Sequence, residues 1–204
     1  MSLTRVPAGQ IATIVTSLQM ILRPKPRPLT ASQLRLDRWR EPSVERYRAL
    51  FRRVGTPWLW FSRLVMDDAT LTAILHDPAV HVFAVTDRQG IEIGLLELDY
   101  REPTACELSF FGLVPELTGR GEGRWLMGQA LTLAWRQGIE RVWVHTCTLD
   151  HPKALRFYIT AGFVPYAQAI ETFADPRLAG VLPREAAPHV PLIDPDSHTE
   201  SRAT

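Results

Sequence analysis

A glycine-rich turn at 119–123 is the part of the sequence that most directly indicates chemistry. The turn follows an apolar, strand-like run that ends at Val114, and it precedes a predicted helix. A turn that opens a helix directs free backbone N–H groups and the positive end of the helix dipole at one point. Glycines let the backbone approach a ligand without a Cβ atom in the way. The turn therefore predicts an anion site, to which Arg120 and Arg124 could add charge; the alternative is a glycine-rich helix start with no ligand.

Two familiar phosphate-binding motifs do not fit this turn. No Lys-Ser or Lys-Thr pair follows it, which excludes a P-loop, and the third glycine of the dinucleotide fingerprint is missing. The turn also follows the last strand of a predicted meander, whereas the dinucleotide motif follows the first strand of a doubly wound sheet.

The segment does resemble the phosphate-binding motif of the GNAT acyltransferases, Arg/Gln-x-x-Gly-x-Gly/Ala after a strand ending in Val-x-Pro. Here the chain reads Val114-Pro115-Glu116 and then Thr118-Gly119-Arg120-Gly121-Glu122-Gly123, with Thr118 where the family usually has Arg or Gln. A second segment, 151–163, resembles the family's Asn-x-x-Ala-x-x-x-Tyr-x-x-x-Gly-Phe, with His151 in the Asn position. The two motifs occur in the family's order, separated by one helix and one strand.

The resemblance implies both the fold and the co-substrate. The fold would be α/β (α+β), a mixed and mostly antiparallel twisted sheet with helices on both faces and a central parallel strand pair that splays apart. Acetyl-CoA, or another acyl-CoA, would lie between the two parallel strands, 106–114 and 142–148, and no metal would be needed. The residues implied in cofactor binding are Leu113, Val114, Thr118, Gly119, Arg120, Gly121, Glu122, Gly123, Arg124, His151, Ala154 and Tyr158.

The implied reaction is transfer of an acyl group to a primary amine of a small molecule or peptide. An alkyl ammonium with a pKa of about 10.4 is neutral in roughly one molecule in 2,500 at pH 7, a cost of about 4.6 kcal/mol. A base that acts through water therefore helps, and the leaving thiolate needs an acid that is still protonated at pH 7. Tyr158 occupies the family's tyrosine position and is the candidate acid, since a phenol has a pKa near 10; a core tyrosine is the alternative.

Three carboxylates in apolar strands are the candidate bases. Glu107 aligns with the strand glutamate that acts as base in histone-type members of the family, and it ranks first. Glu97 and Asp99 share one face of the preceding strand, and all three share a face if Asp99 lies opposite Glu107. The alternative is that the three are solvent-exposed carboxylates on a half-buried sheet. His145 is a lone histidine on the parallel strand, and we interpret it as a structural residue.

An aromatic run borders the region where the family binds its acceptor. Trp58, Trp60 and Phe61 fall between the first predicted helices, and they would line an apolar or cation-binding pocket together with Glu97 and Asp99. Core packing at helical spacing is the competing interpretation.

Hydrophobic periodicity and turn residues predict the elements that position these groups. Residues 11–22 favour a strand, with an amphipathic helix as the alternative, and a proline-rich connector follows. Helices are predicted for 43–53 with Ser43 as the cap, after Asp67 or Asp68, from the glycine turn to a stop at Gly138, and for 152–161; strands are predicted at 34–36, 80–86, 91–100, 106–114, 142–148 and 163–173.

Composition and charge place the chain in a broad class. The 204 residues, 46% hydrophobic and 22% charged, fit one globular domain at 31–174 with an N-terminal strand and connector at 1–30 and an irregular tail at 175–204. Cys106 and Cys147 have no metal-ligand spacing and indicate buried free thiols. Without a secretory pattern or a membrane-length segment, we expect a cytoplasmic protein that does not bind a membrane.

Two other functions and the oligomeric state stay open at this level. One is a regulatory domain that binds acyl-CoA without turnover, suggested by Thr118 and the uncertain base. The other is a nucleic-acid tether in the basic stretch 23–53, for which a solvated face is the favoured interpretation. The sequence also permits a homodimer.

Overall fold

A single seven-stranded sheet organises the protein. The computed structural model describes residues 3–25, 28 and 31–198. The strand order across the sheet is β2-β3-β4-β5-β6-β1-β7, with only the β5–β6 pair parallel. The strands are β1 (Gln10–Met20), β2 (Arg35–Trp39), β3 (Val80–Thr86), β4 (Glu92–Asp99), β5 (Ala105–Leu113), β6 (Arg141–Cys147) and β7 (Val164–Ala174).

Five helices connect and cover the strands. They are α1 (Val44–Gly55), α2 (Ser62–Val65), α3 (Asp68–Leu75), α4 (Glu122–Ala134) and α5 (Ala154–Ala161). Two predicted caps are confirmed, since the Ser43 side chain accepts from the Arg46 N–H and the Asp67 side chain accepts from the Thr70 N–H. The helix α4 ends before the predicted stop at Gly138, because Trp135 leaves the helical conformation with ψ of 59° and buries its indole.

The mixed, mostly antiparallel sheet confirms the predicted fold class. The three strands β3, β4 and β5 form an antiparallel meander, and α4 crosses over to bring β6 parallel to β5. Every residue of β4 from Ile93 to Asp99 is buried, so helices cover this part of the sheet on both faces. On β5, Phe110 contacts Phe51 of α1 and Phe111 contacts Phe157 of α5, with centroid distances of 4.8 and 5.7 Å.

The N-terminal segment is a strand, and it lies inside the sheet. β1 pairs antiparallel with β6 on one side and with β7 on the other, so that Val15 lies between Cys147 and Ala169. The even-numbered residues Leu18 and Met20 are buried in the main core, whereas Thr13, Val15 and Ser17 point to the other face. The chain therefore uses its first strand to hold β6 and β7 together.

The segment after β7 folds back onto the sheet in a largely irregular path. Arg177 is buried, pairs with Asp175 at 2.7 Å, and donates to the carbonyl oxygens of Ala186, Val190 and Pro191. A second, smaller apolar cluster joins this segment to β1 and to the loops beside α2 and β6; it contains Ile11, Leu59, Leu149, Leu182, Ala186 and Ala187. In the part of the chain described, no helix combines the length and apolar character that a membrane crossing requires.

Candidate active site

A cleft opens where the parallel strands β5 and β6 stop pairing. Their register runs only from Ala105 opposite Arg141 to Glu107 opposite Trp143, although β5 continues to Leu113 and β6 to Cys147. Beyond this point a cavity of about 440 Å³ lies between them. The splayed pair that the resemblance implied is thus present, and it gives one ligand access to both faces of the sheet.

One end of the cleft is the glycine-rich turn before α4. Gly119 and Gly121 have φ values of 81° and 86°, which a residue with a Cβ rarely adopts, and Gly121 is the N-cap of the helix. The N–H groups of Gly119, Gly121, Glu122 and Gly123 have no acceptor among the residues described. Four unpaired donors at a helix start suit an anion.

The side chains around this turn differ in their position and in their effect on a bound anion. Thr118 lines the cleft, whereas Arg120 and Arg124 are exposed at its mouth. The carboxylate of Glu122, which would repel an anion, is held away by Ser32, whose hydroxyl donates to Oε2 at 2.6 Å. Of the two strand residues predicted here, Leu113 lines the cleft, while Val114 is buried and donates its N–H to Ile93.

The helix α5 and the loop before it form the second wall. His151, Ala154 and Tyr158 line the cleft, as the second motif implied, together with Lys153 and Phe157, which the sequence analysis did not single out. The Nδ1 atom of His151 accepts from the Lys153 N–H at 3.1 Å, so His151 also shapes the start of the helix.

Tyr158 is buried beside the splayed strands. Its ring packs against Phe111, Phe157 and Phe163, and its hydroxyl makes no hydrogen bond to any residue the structure describes. Burial raises the pKa of Tyr158 well above its usual value, and the nearby Asp150 acts in the same direction. The phenol therefore keeps its proton at neutral pH and has a free donor for a group bound in the cleft.

The structure separates the three predicted carboxylates. Asp99 does lie opposite Glu107, but a bulge follows and Glu97 pairs with Phe110. Glu97 is fully buried, where it accepts from the Tyr47 hydroxyl at 2.5 Å and pairs with Arg63. Asp99 pairs with the side chain of Arg101. Neither of these two carboxylates lines the cleft, so their predicted place in an acceptor site is corrected: an acid inside an apolar strand here has a structural partner.

Glu107 does not line the cleft itself, but it contacts His145, which does. Its Oε1 atom is 3.4 Å from Nδ1 of His145, and it is His145 that lines the cleft. The contact with the Glu107 carboxylate raises the pKa of His145 above 6.5 against the opposing effect of burial, and the charges of Asp150 and Glu171 add to the rise. Sequence reasoning set His145 aside, and only the parallel register of β5 and β6 places it beside Glu107.

The far end of the cleft is aromatic and partly acidic. The predicted residues Trp58, Trp60 and Phe61 all line it. Residues outside the motif region also contribute, and sequence analysis did not identify them as site residues: Thr13 and Val15 from β1, Glu171 and Phe173 from β7, and Asp150. Cys106 is buried as predicted, whereas Cys147 is half-buried and lines the cleft. No group of three potential metal ligands occurs among residues 3–25, 28 and 31–198.

The comparisons with known proteins agree with this geometry. The family described as "Acetyltransferase (GNAT) family" matches residues 33–163, which contain both motifs but neither β1 nor β7. None of the curated proteins compared with the chain matches it.

Solved structures with this fold include several N-acetyltransferases. A GCN5-related N-acetyltransferase from Sphaerobacter thermophilus superposes with a TM-score of 0.60 at 16% identity, over 79% of this chain and 51% of that one. This chain thus spans about half the length of that protein. A spermidine N-acetyltransferase SpeG chimera from Vibrio cholerae gives 0.53 at 25% identity, over 67% and 83% of the two chains. An aminoglycoside acetyltransferase from an uncultured soil metagenomic sample gives 0.51 at 20%, over 64% and 88%.

Proposed function

The chain belongs to the GNAT acetyltransferase family, and from this premise we propose that it transfers acetyl from acetyl-CoA to a primary amine of a small molecule or peptide by direct attack. The cleft between β5 and β6 is the observation that carries the proposal. It joins a turn with four unpaired N–H groups to an aromatic and acidic end large enough for an amine. Such a cleft fits a ligand with a diphosphate at one end, next to the N–H groups, and a reactive thioester at the other, next to the amine.

The co-substrate would be held by backbone groups at one end and by apolar side chains along its length. The N–H groups of Gly119, Gly121, Glu122 and Gly123 would bind the diphosphate, with the α4 dipole in support. The exposed guanidinium groups of Arg120 and Arg124 would add a screened attraction. Thr118 stands where the family usually has Arg or Gln, but the backbone N–H donors do not depend on that side chain.

Tyr158 would act as the acid of the reaction. Acyl transfer releases a thiolate with a pKa of about 8.5, and a phenol that stays protonated at neutral pH can donate to it. Tyr158 has this property because it is buried, and its hydroxyl is free among the described residues. The amine would approach from the aromatic end, past Trp58 and Trp60.

The spermidine and aminoglycoside enzymes above act on amines, as their names state, and this supports an amine acceptor here. Spermidine and aminoglycosides both carry several ammonium groups. The carboxylates of Asp150 and Glu171 in the cleft are compatible with a cationic acceptor of this kind.

Binding and turnover assays test the proposal. We expect acetyl-CoA to release heat on titration and to raise the melting temperature, and an amine panel to give thiol release. Gly123→Glu places a carboxylate in the anion site and should weaken acetyl-CoA binding at least tenfold. Gln129→Glu adds the same charge further along α4 and is the matched control, with affinity near wild type.

Two outcomes would contradict the proposal in different ways. Absence of acetyl-CoA binding would remove the whole assignment. Binding and thermal stabilisation with no thiol release for any amine would instead favour the acyl-CoA-binding regulatory domain.

A further inference from the structure

His145 and Glu107 form a pair at the point where the two parallel strands separate. Glu107 is the last β5 residue in register with β6, and His145 is the second residue after its partner Trp143. The 3.4 Å contact between Oε1 and Nδ1 therefore bridges the strands at the start of the cleft. The histidine side chain is 48% exposed and the glutamate side chain 21%, which puts the ring at the open surface and the carboxylate behind it.

Strand alternation sets His145 and Tyr158 on opposite sides of the sheet. Val144 and Thr146 are buried, and Val144 shares the main core with Tyr158. His145 points to the other face, where its cross-strand neighbour on β1 is Ser17. A thioester lodged between the strands would thus have an acid on one side and an imidazole on the side from which the amine arrives.

Most of the other candidate carboxylates are already engaged. Both oxygens of Glu97 and both oxygens of Asp99 accept hydrogen bonds, and neither residue lines the cleft. Asp150 accepts from Trp60 through Oδ1 and from Thr146 and the Cys147 N–H through Oδ2. Glu171, on the edge strand β7, lines the cleft with an exposed side chain and is the competing base.

The contact with Glu107 determines which nitrogen of His145 is available. A neutral imidazole that donates its Nδ1 proton to a carboxylate carries its lone pair on Nε2. Because Nδ1 is the nitrogen that lies 3.4 Å from Glu107, Nε2 is the nitrogen left for a bound acceptor. The same arrangement stabilises the imidazolium that forms when Nε2 takes up a proton.

On the basis of the proposed function, we propose that His145 is the general base of the reaction and that Glu107 is its positioning residue. His145 Nε2 takes a proton from the acceptor ammonium, directly or through one water, and so produces the neutral amine. The amine nitrogen bonds to the thioester carbonyl carbon, and the carbon–sulfur bond breaks with its electron pair on sulfur. Sulfur receives a proton from Tyr158, the nitrogen loses its second proton to the phenolate, and the proton on His145 passes to solvent.

The charged groups that act on His145 most strongly all favour its protonated form. They are Glu107 from β5, Asp150 from the loop after β6, and Glu171 from β7. The remaining aromatic neighbour is Trp143, with ring centroids 6.2 Å apart. Only the neutral imidazole can act as base, so activity should rise with pH through a midpoint above 6.5, and removing Glu107 should lower that midpoint.

The test is the pH dependence of kcat/KM with a saturating co-substrate for three variants. We expect His145→Gln to reduce kcat about a hundredfold and to abolish the rising limb. Glu107→Gln should lower kcat and move the midpoint to lower pH, a shift that loss of packing alone would not produce. Glu171→Gln should keep the rising limb with only a small shift of its midpoint, and loss of this carboxylate should raise the KM for a cationic acceptor. Affinity for acetyl-CoA and the melting temperature should stay near wild type in all three, which reports intact folding.

The failures of the two proposals are distinguishable. If wild-type protein turns over an amine while His145→Gln keeps more than half of kcat and the same limb, the assignment of the base is overturned and the acetyltransferase proposal stands. If the rising limb of the pH profile disappears in Glu171→Gln, the general base is Glu171 and the assignment to His145 is overturned. If wild-type protein binds no acetyl-CoA and releases no thiol, both proposals fail together.

Discussion

Trp60 and Asp150 join the two sides of the aromatic end of the cleft, because the indole Nε1 donates to Oδ1 at 3.3 Å. The same indole packs against Phe51 and Phe110, with centroid distances of 5.6 and 5.3 Å. The sequence left open whether the aromatic run lines a pocket or packs in the core, and Trp60 does both. Trp58 differs, since the aromatic partners of its ring among the described residues are His151 and His189.

These contacts predict different results for the two tryptophans. Trp60→Ala should lower the free energy of unfolding by about 3 kcal/mol, because it leaves a cavity in the core. Trp58→Ala should cost less than about 1 kcal/mol and should raise the KM for the acceptor. Urea unfolding and steady-state kinetics measure the two effects. An unchanged acceptor KM in Trp58→Ala would exclude Trp58 from the acceptor site.

Tyr158→Phe should reduce kcat about a hundredfold, since it removes the only proton donor we assign to the leaving thiolate. The ring packing is kept, so acetyl-CoA affinity and melting temperature should not change. The raised pKa of Tyr158 also predicts that activity shows no falling limb from this residue below pH 10. A variant with near wild-type kcat would remove the assignment.

The buried cluster of Tyr47, Glu97 and Arg63 should support stability. Glu97→Ala leaves the Arg63 charge buried without its partner, and it should cost about 3–5 kcal/mol. Glu92→Ala on the same strand is the control: it breaks a surface pair with Arg46, 2.7 Å long, and should cost at most about 1 kcal/mol. Denaturant unfolding compares the two, and equal costs would contradict the role given to the cluster.

His81 should make stability depend on pH. Burial lowers the pKa of His81 to about 4, and Arg38 and Arg136 act in the same direction. In the unfolded chain the residue titrates near 6.5, so the unfolded state binds a proton first and stability is lost as pH falls from about 6.5 to about 4. His81→Gln should flatten this part of the stability profile, measured by urea unfolding at several pH values. An unchanged slope would show that other groups cause it.

The sequence was informative where local pattern determines structure. Some features depend only on residues a few positions apart in the chain: the glycine turn, the apolar alternation of β3 to β5, and the caps at Ser43 and Asp67. For that reason the strands, the parallel crossover and the glycine-rich end of the cleft could be predicted. The positions of Gly119, Ala154 and Tyr158 followed from two short motifs.

The rest depends on contacts between distant segments. Glu97 looked like a candidate base, but its partners Tyr47 and Arg63 come from two separate helices. The relation of His145 to Glu107 exists only once β5 and β6 are in register. Thr13 and Glu171 lie opposite each other on strands from opposite ends of the chain, and no local pattern in either strand indicates the other.

The position of β1 also determines when one wall of the cleft can form during folding. Its partners all come from Val142 onward, so the earliest residues of the chain must wait for the latest ones before they can pair. Contacts this remote in sequence close slowly, because a long loop must be ordered first. Until that closure, β6 has an unpaired edge next to His145, and the part of the cleft wall formed by Thr13 and Val15 is missing. This side of the cleft therefore forms only when the sheet is completed.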